Sequence, residues 1–344
     1  MWNKDGFVME ELQAFNDYLI DKYKSNNKFL NDVSQKVMLS GGKRLRPALV
    51  IISGMMDGYD SYDRKKIFPL AAAIETLHTA TLVHDDIIDN AKTRRGQITV
   101  SEKHGINIAV YTGDYLISNS ILLLAESGLS TEKLDRVAKA ARMICAGEVS
   151  QYLNRYKLTS VSEYLKRVMK KTGILFSASC ALGAYASNCS EKHVNIMGRV
   201  GMNIGVAFQI RDDLIDIELD KAKAKKAGKP VANDIRSGIV TLPFLFSANR
   251  SETIKKSIEQ LFRVPSDLSG AYNTDNVGEI TNISEITNVS DIKQIILDVI
   301  KAGGADAAKA LKERYIQKSR NLLSTLPLVS NEAKQAIEEV LDWL

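Results

Sequence analysis

Uninterrupted apolar runs of about 18 residues, the length a membrane-spanning helix requires, are missing from this chain of 344 residues. Met1 to Glu10 carries charges and lacks an apolar segment followed by a small-residue cleavage site, so neither a transmembrane segment nor a secretory leader is predicted, and the expected location is the cytoplasm. Cysteine is scarce. Cys145, Cys180 and Cys189 are odd in number and fit no C-x-x-C spacing, which argues against a disulfide framework or a zinc site and predicts buried, reduced thiols. Neither sign of charge dominates: 46 basic residues face 41 acidic ones, for a net charge of +5. That balance disfavours nucleic acid as a partner, but local basic clusters can still hold phosphates.

Proline is rare as well. Six occur, and none falls between Pro69 and Pro230. Alternating strand patterns are also scarce, whereas apolar residues recur at spacings of three and four, as in Ile74, Leu77, Ala80 and Leu82, then Leu116, Ile117, Ile121 and Leu124. The pattern predicts an all-α fold: long helices forming a bundle around one cavity, with residues 1–344 as a single domain. Breaks are expected at Gly41-Gly42, Gly96, Ser127-Gly128 and the Lys-rich stretch from Lys221 to Pro230. Near 269–290 the chain turns rich in Asn, Thr and Ser, which predicts a surface insertion.

One short pattern occurs twice. His84-Asp85-Asp86-Ile87-Ile88-Asp89 and Arg211-Asp212-Asp213-Leu214-Ile215-Asp216 both contain Asp-Asp-x-x-Asp. On a helix the outer aspartates of each copy are i and i+4 neighbours on one face, where like charges repel by a few tenths of a kcal/mol when exposed and by more when buried. A single copy is ordinarily a solvated acidic face. Both copies here follow apolar residues, Thr81-Leu82-Val83 and Val206-Ala207-Phe208, and acids in that setting call for cations. Mg²⁺ suits them: it takes oxygen ligands, and substrate phosphates complete its octahedron. Asp85, Asp86, Asp89, Asp212, Asp213 and Asp216 are therefore candidate metal-binding residues.

Phosphates held by metal also need protein cations, and the planar fork of arginine matches their oxygens. Gly41-Gly42-Lys43-Arg44-Leu45-Arg46-Pro47 sets a glycine turn before Lys43 and Arg46, which lie three apart and can face one ligand. Arg94-Arg95-Gly96 follows the first acidic motif closely, and Lys171-Thr172-Gly173 and Gly228-Lys229-Pro230 add two Lys and Gly pairings. Each alone reads as an ordinary surface cluster. Their joint presence around two acidic motifs points to diphosphate binding.

In these motifs the chain resembles the trans-isoprenyl diphosphate synthases, or polyprenyl synthetases, from about Gly41 to Leu344. The likeness also rests on His78-Thr79-Ala80-Thr81-Leu82-Val83-His84, Gly113-Asp114-Tyr115-Leu116, Gly147-Glu148, Phe208-Gln209-Ile210 and Thr241-Leu242-Pro243. The resemblance implies an isoprenoid synthase fold and a prenyltransferase that elongates an allylic diphosphate with isopentenyl diphosphate. It further implies that Asp85, Asp89 and Asp212 ligate three Mg²⁺ ions, with Asp86, Asp213 and Asp216 assisting directly or through water. Arg94, Lys171, Gln209 and Lys229 would contact the allylic diphosphate, with Thr172 beside them. Lys43, Arg46, His78 and Arg95 would hold isopentenyl diphosphate. A homodimer is implied too.

In this family, bulk one helical turn before the first aspartate motif acts as a floor for the growing tail. Ala80 and Thr81 are small, which resembles the synthases of C30 and longer products, although a floor on another helix would stop growth at C20 or C25. Several positions depart from the family pattern. Ile239 stands where a lysine is frequent, Ala232 replaces a frequent glycine, and the usual basic tail is missing at Leu344. Two competing readings are weaker. A non-catalytic partner subunit of a two-part synthase generally lacks one or both aspartate motifs, and a class I terpene cyclase carries an Asn-Ser-Glu type second metal site.

Overall fold

The computed structural model describes residues 2, 6–23, 27–58, 62–219, 232–262, 289–326 and 330–344. Lys229 with its Gly228 and Pro230 neighbours, and most of the polar stretch near 269–290, lie outside the described residues. The all-α expectation holds. In chain order the helices are α1 (Phe7–Lys22), α2 (Lys28–Met38), α3 (Leu45–Gly54), α4 (Arg64–Ile88), α5 (Val100–His104), α6 (Ile106–Glu126), α7 (Thr131–Leu153), α8 (Val161–Val168), α9 (Ile174–Ala186) and α10 (Glu191–Asp216). They continue as α11 (Asn233–Arg236), α12 (Leu242–Ala248), α13 (Glu252–Leu261), α14 (Val289–Lys301), α15 (Gly304–Leu323) and α16 (Asn331–Trp343). Among the described residues the only strands are β1 (Thr93–Arg94) and β2 (Gln97–Ile98), a minimal antiparallel hairpin.

The proline-poor stretch forms the long helices foreseen, with 25 residues in α4 and 26 in α10. Pro69 does not delimit α4 but sits inside its second turn, where its missing N–H removes one helical hydrogen bond. The Gly41-Gly42, Gly96 and Ser127-Gly128 breaks all fall between helices.

Contacts gather into two compact units: Met1–Met143 with Thr172–Gly205 and Ile316–Leu344, and Ile144–Lys171 with Val206–Tyr315. In the first, α3 and the first half of α4 are buried on nearly every side, including Leu49, Ile51, Ile67 and Ile74. Each such side chain contributes about 1.5–3 kcal/mol on leaving water. Helix α3 packs on α9 and α4, and α4 on α6. The first packing is close because Gly183 has no side chain: a Cβ there would meet the Val50 carbonyl oxygen at 2.2 Å. In the second unit, the buried Ser247 hydroxyl on α12 donates to the Val299 carbonyl on α14 at 3.0 Å.

One expectation needs correction. Cys180 is buried, but Cys145 is exposed on α7, because its helical position points away from the stripe of Val137, Ala140 and Ile144 that packs inward. Helix α6 is long and apolar enough to cross a membrane by length and composition, although 39% of its apolar window is buried in the protein. Its few polar residues had interrupted every apolar run in the sequence.

Candidate active site

The first aspartate motif ends α4. Asn90 adopts a left-handed conformation, φ 49°. The Ala91 N–H donates to the Asp86 carbonyl at 2.9 Å and the Asn90 N–H to the Ile87 carbonyl at 3.2 Å, the paired bonds that terminate a helix at a left-handed residue. Asp85, Asp86 and Asp89 therefore occupy the last turn and cap of a helix with no basic residue in that turn. The C-terminal pole carries about half a negative charge, so three acids there are held against both their mutual repulsion and the helix dipole. Asp89 is exposed and Asp85 half-buried. Asp86 is buried and accepts from Arg94 Nε at 2.6 Å. Burial raises its carboxyl above the ordinary range, and Arg94 opposes that rise.

Arg94 and Arg95 come from the β1–β2 hairpin, where Arg94 pairs with Gln97. The two loop residues, Arg95 and Gly96, both have positive φ, 51° and 76°, as a type I′ turn demands. An arginine is an uncommon occupant of that place, and its guanidinium accounts for it. Arg95 Nη1 donates to the Gly41 carbonyl, and a Cβ on Gly42 would lie 2.6 Å from the same nitrogen. The glycine turn of the basic motif is thus the seat of Arg95. Beside it Arg44, also left-handed at φ 47°, is held by Glu75 at 2.7 Å and by the Met38 carbonyl. Those two contacts fix the loop that carries Lys43 and leads into α3, the helix of Arg46.

His78 stands among these cations. Burial, then Arg46, Arg95, Arg94 and Arg44 in that order, hold its imidazole well below the ordinary histidine range. The imidazole is thus biased toward its neutral form in a strongly cationic setting, one suited to an anion. A cavity of about 30 Å³ lined by Arg44, Thr79, Leu82, Asp86, Arg94 and Arg95 opens here. Of the two chain-length candidates, Ala80 is fully buried, and Thr81 donates its hydroxyl to the His78 carbonyl at 2.8 Å. Gly113 of the Gly113-Asp114 motif makes room for His84, whose ring a Cβ would meet at 2.1 Å.

The second aspartate motif also ends a helix, α10, again with no basic residue in the last turn. Its three acids are placed differently. Asp213 is 1% exposed and takes three donors: Tyr164 Oη at 2.6 Å, Gln209 Nε2 at 3.1 Å and the Leu242 N–H at 3.0 Å. Burial, then Asp234, push its carboxyl up to about 7 against those donors. Asp216 is buried and accepts from the Asn233 and Asp234 N–H groups at 2.9 and 3.3 Å; burial and Asp234 push it up as well. Asp212 is half-buried at the surface of the helix.

Lys171 and buried Thr172 lie in a π-helical turn, Met169–Gly173, between α8 and α9. Such turns interrupt helices where function requires a displaced residue. Lys171 pairs with Glu148 at 2.7 Å. Gly147 lets the turn approach α7, since a Cβ there would lie 3.2 Å from the Lys171 nitrogen. Sequence reasoning had not selected Tyr164, Asp234 or Glu75. Asp234 had a signal, standing shortly before Thr241-Leu242-Pro243, whereas the others are recognisable only by what they touch.

No group of three or more acidic, histidine or cysteine side chains closes on a metal among the described residues. Any cation at these helix ends would therefore draw on one or two carboxylates and complete its shell elsewhere. That is how Mg²⁺ binds phosphate esters, and hard oxygen donors at a negative helix pole fit it.

The sequence profile of the polyprenyl synthetase family matches residues 27–274. Component 2 of the heptaprenyl diphosphate synthase of Bacillus subtilis is 31% identical over 93% of this chain and 84% of its own. The geranylfarnesyl diphosphate synthase of Aeropyrum pernix is 32% identical over 95% and 97%. The crystal structure of heptaprenyl diphosphate synthase from Staphylococcus aureus superposes with a TM-score of 0.84 at 28% identity, covering 97% of this chain and 96% of that one. An all-α isoprenoid synthase fold whose helices end in aspartate clusters defines the class. The chain belongs to the polyprenyl synthetase family and is a prenyltransferase.

Proposed function

We propose that this protein condenses isopentenyl diphosphate head to tail onto an allylic diphosphate, giving an all-trans product of C30 or longer. The observation that carries this reading is the cavity on which Arg44, Arg94, Arg95 and Asp86 converge, with Asp85 and Asp89 in the same last turn and cap of α4. Lys43, Arg46, His78 and Arg95 hold isopentenyl diphosphate. Arg94, Lys171, Gln209 and Lys229 grip the allylic diphosphate, with Thr172 beside them. Mg²⁺, three ions on Asp85, Asp89 and Asp212, would neutralise the leaving diphosphate, with Asp86, Asp213 and Asp216 contributing through water. The arginines and lysines stabilise the same charge as the allylic C–O bond ionises, and the isopentenyl site aligns the alkene with the cation that forms. The proton released in the last step leaves on the departing diphosphate, so no protein base is required.

We take the two compact units as one polyprenyl synthetase domain spanning residues 1–344, since the family profile runs through segments of both. The protein works in the cytoplasm as a homodimer. Helix α6 supports the second claim: one face is buried through Ala109, Gly113, Leu116 and Leu123, while the other leaves Tyr111, Ile121 and Leu122 66%, 61% and 60% exposed. An apolar face of that extent on a helix already docked on α4 suits a second chain better than water. Light scattering tests the stoichiometry. A purely non-catalytic partner role is disfavoured because both aspartate motifs are intact.

The central test incubates the purified protein with Mg²⁺, radiolabelled isopentenyl diphosphate and geranyl or farnesyl diphosphate, then resolves the dephosphorylated products by length, with Asp85→Ala as control. Products of C30 or more, absent with the variant, are expected. Products ending at C20 or C25 would place the floor on a helix other than the one bearing Ala80 and Thr81. Absence of incorporation with either primer would overturn the reading.

A further inference from the structure

Helix α4 carries two buried acids on one side. Glu75 and Asp86 are each 6% exposed and lie about three turns apart along the helix. Each accepts from one arginine: Glu75 from Arg44 Nη1 at 2.7 Å, Asp86 from Arg94 Nε at 2.6 Å. Asp86 belongs to the first aspartate motif and lines the cavity together with Arg44, Arg94 and Arg95. Glu75 belongs to no motif, and its carboxylate reaches that cavity through its bond to Arg44. It also acts on Arg95, where burial depresses the guanidinium and Glu75 is the strongest influence opposing that depression. The reaction as proposed gives Glu75 no task.

The loop that Glu75 holds is an unusual one. Gly41, Gly42 and Arg44 all have positive φ, 86°, 127° and 47°, and the left-handed region is unfavourable for an arginine. Arg44 is also the N-cap of α3 and makes no side-chain capping bond there. Its guanidinium supplies the restraint instead, with Nη1 on Glu75 and Nη2 on the Met38 carbonyl. One planar fork therefore ties α4 to the end of α2 and the start of α3. The same loop seats Arg95: the Gly41 carbonyl accepts from Arg95 Nη1, and the space of a Gly42 side chain is filled by that guanidinium. A buried ion pair is poor evidence for stability, since an apolar replacement often serves as well. The geometry of this fork gives the pair another use.

We propose that Glu75 is a positioning residue: through Arg44 it holds the Gly41-Gly42 turn, and through that turn it holds Arg95 in place for the diphosphate of the incoming isopentenyl unit. This rests on the assignment of Arg95 to isopentenyl diphosphate. The carboxylate has two opposed effects on that anion. Its negative charge repels the diphosphate, whereas its hold on the loop keeps the donors aligned. Were charge the larger effect, neutralising Glu75 would tighten binding. Alignment is the larger effect, because a donor in contact with a phosphate oxygen acts at hydrogen-bond range, while the Glu75 charge is already compensated by the guanidinium between it and the cavity. Neutralising Glu75 therefore weakens binding of the incoming unit and leaves the allylic primer little affected.

The test uses the full chain and reads binding, kinetics and stability. Calorimetric titration of isopentenyl diphosphate without a primer, when no condensation can occur, should show Glu75→Gln binding it roughly tenfold more weakly, the lower end of what a hydrogen bond to a charged group contributes. In steady state with saturating farnesyl diphosphate, the KM for isopentenyl diphosphate should rise by a similar factor, with the KM for the primer within about twofold of wild type. Arg44→Gln should weaken binding as Glu75→Gln does, and the double variant should bind no more weakly than either single one, as expected of two residues that act as a unit. Thermal melts separate positioning from a merely structural role. Arg44→Gln strands a buried carboxylate and should melt lower; the double variant should regain that stability while its affinity stays lost, whereas a structural role would restore both together. Unchanged or tighter binding in Glu75→Gln, equal losses for both substrates, or losses that add in the double variant would overturn the proposal. Arg95→Gln separates the two levels: if it leaves the affinity for isopentenyl diphosphate unchanged, the assignment of Arg95 fails and the positioning role fails with it, whereas a weakened affinity there beside an unchanged one in Glu75→Gln refutes the positioning role alone.

Discussion

The two Asp-Asp-x-x-Asp motifs share a spelling and a position, the last turn of a long helix, yet their acids are used differently. At the end of α4, Asp89 is exposed, Asp85 is half-buried, and Asp86 is buried and accepts from Arg94. At the end of α10, two of three acids are buried and taken by protein donors: Asp213 by Tyr164, Gln209 and Leu242, Asp216 by the start of α11. A motif fixes which atoms are available, while the surroundings decide whether those atoms face a ligand or hold the site together. In the first motif two of the three acids, Asp85 and Asp89, keep access to solvent. In the second only Asp212 keeps such access, half-buried, while Asp213 and Asp216 anchor the segments around it.

The largest effects should fall on the outward acids. Asp85→Asn and Asp212→Asn remove charge without volume, and each should lower kcat/KM about 10²- to 10³-fold, the scale of losing one preorganised electrostatic contact in a transition state. Both should lower the melting temperature of the metal-free protein less than loss of Asp213 does, because each relieves repulsion at a negative helix pole. Circular dichroism melts beside the incorporation assay check this, and an Asp212→Asn variant destabilised as much as one lacking Asp213 would erase the contrast between outward and anchoring acids.

Asp213 should behave in the opposite way. Replacing it with alanine leaves the Tyr164 hydroxyl and the Leu242 N–H buried without their acceptor. At about 1–3 kcal/mol for each stranded group, the variant should lose about 3 kcal/mol in urea unfolding. Tyr164→Phe removes a single hydrogen bond and should lose about 1 kcal/mol. If Asp213→Ala kept full stability and lost only activity, Asp213 would belong with the ligand-facing acids.

Much of this site was legible in the sequence because its signals are local. The i, i+4 spacing of the aspartates, the absence of proline between Pro69 and Pro230 and the glycine turn before Lys43 are all signals readable along the chain itself. What stayed hidden depends on partners far along the chain. Tyr164 lies 49 positions from Asp213, and Arg95 reaches Gly41 from 54 positions away. Nothing near Arg95 announces that its guanidinium will fill the space Gly42 leaves. The π-helical turn at Met169–Gly173 was equally invisible, since Lys-Thr-Gly alone does not dictate an extra residue in a helical turn. Cys145 shows the reverse error: composition predicted burial, but its place on the outer face of α7 was decided by packing.

Ala232 gives the smallest and most local probe of the comparison. The sequence flagged it as a departure from a frequent glycine, and its backbone explains the preference: φ is 63°, left-handed, with the residue buried. That turn brings the Ala232 N–H to the Asp216 carbonyl at 2.8 Å and aims the next two N–H groups at the Asp216 carboxylate. The anchoring of Asp216 thus depends on a conformation that disfavours alanine by roughly 1–2 kcal/mol. Glycine would remove the strain but enlarge the freedom of the unfolded chain by about 0.4–1 kcal/mol. Ala232→Gly should therefore stabilise the protein by about 0.5 kcal/mol and leave kcat unchanged. A clear fall in melting temperature would mean that the alanine methyl packs well enough to outweigh its backbone strain. The anchoring at the second motif would then owe more to side-chain burial than to the turn that aims those N–H groups.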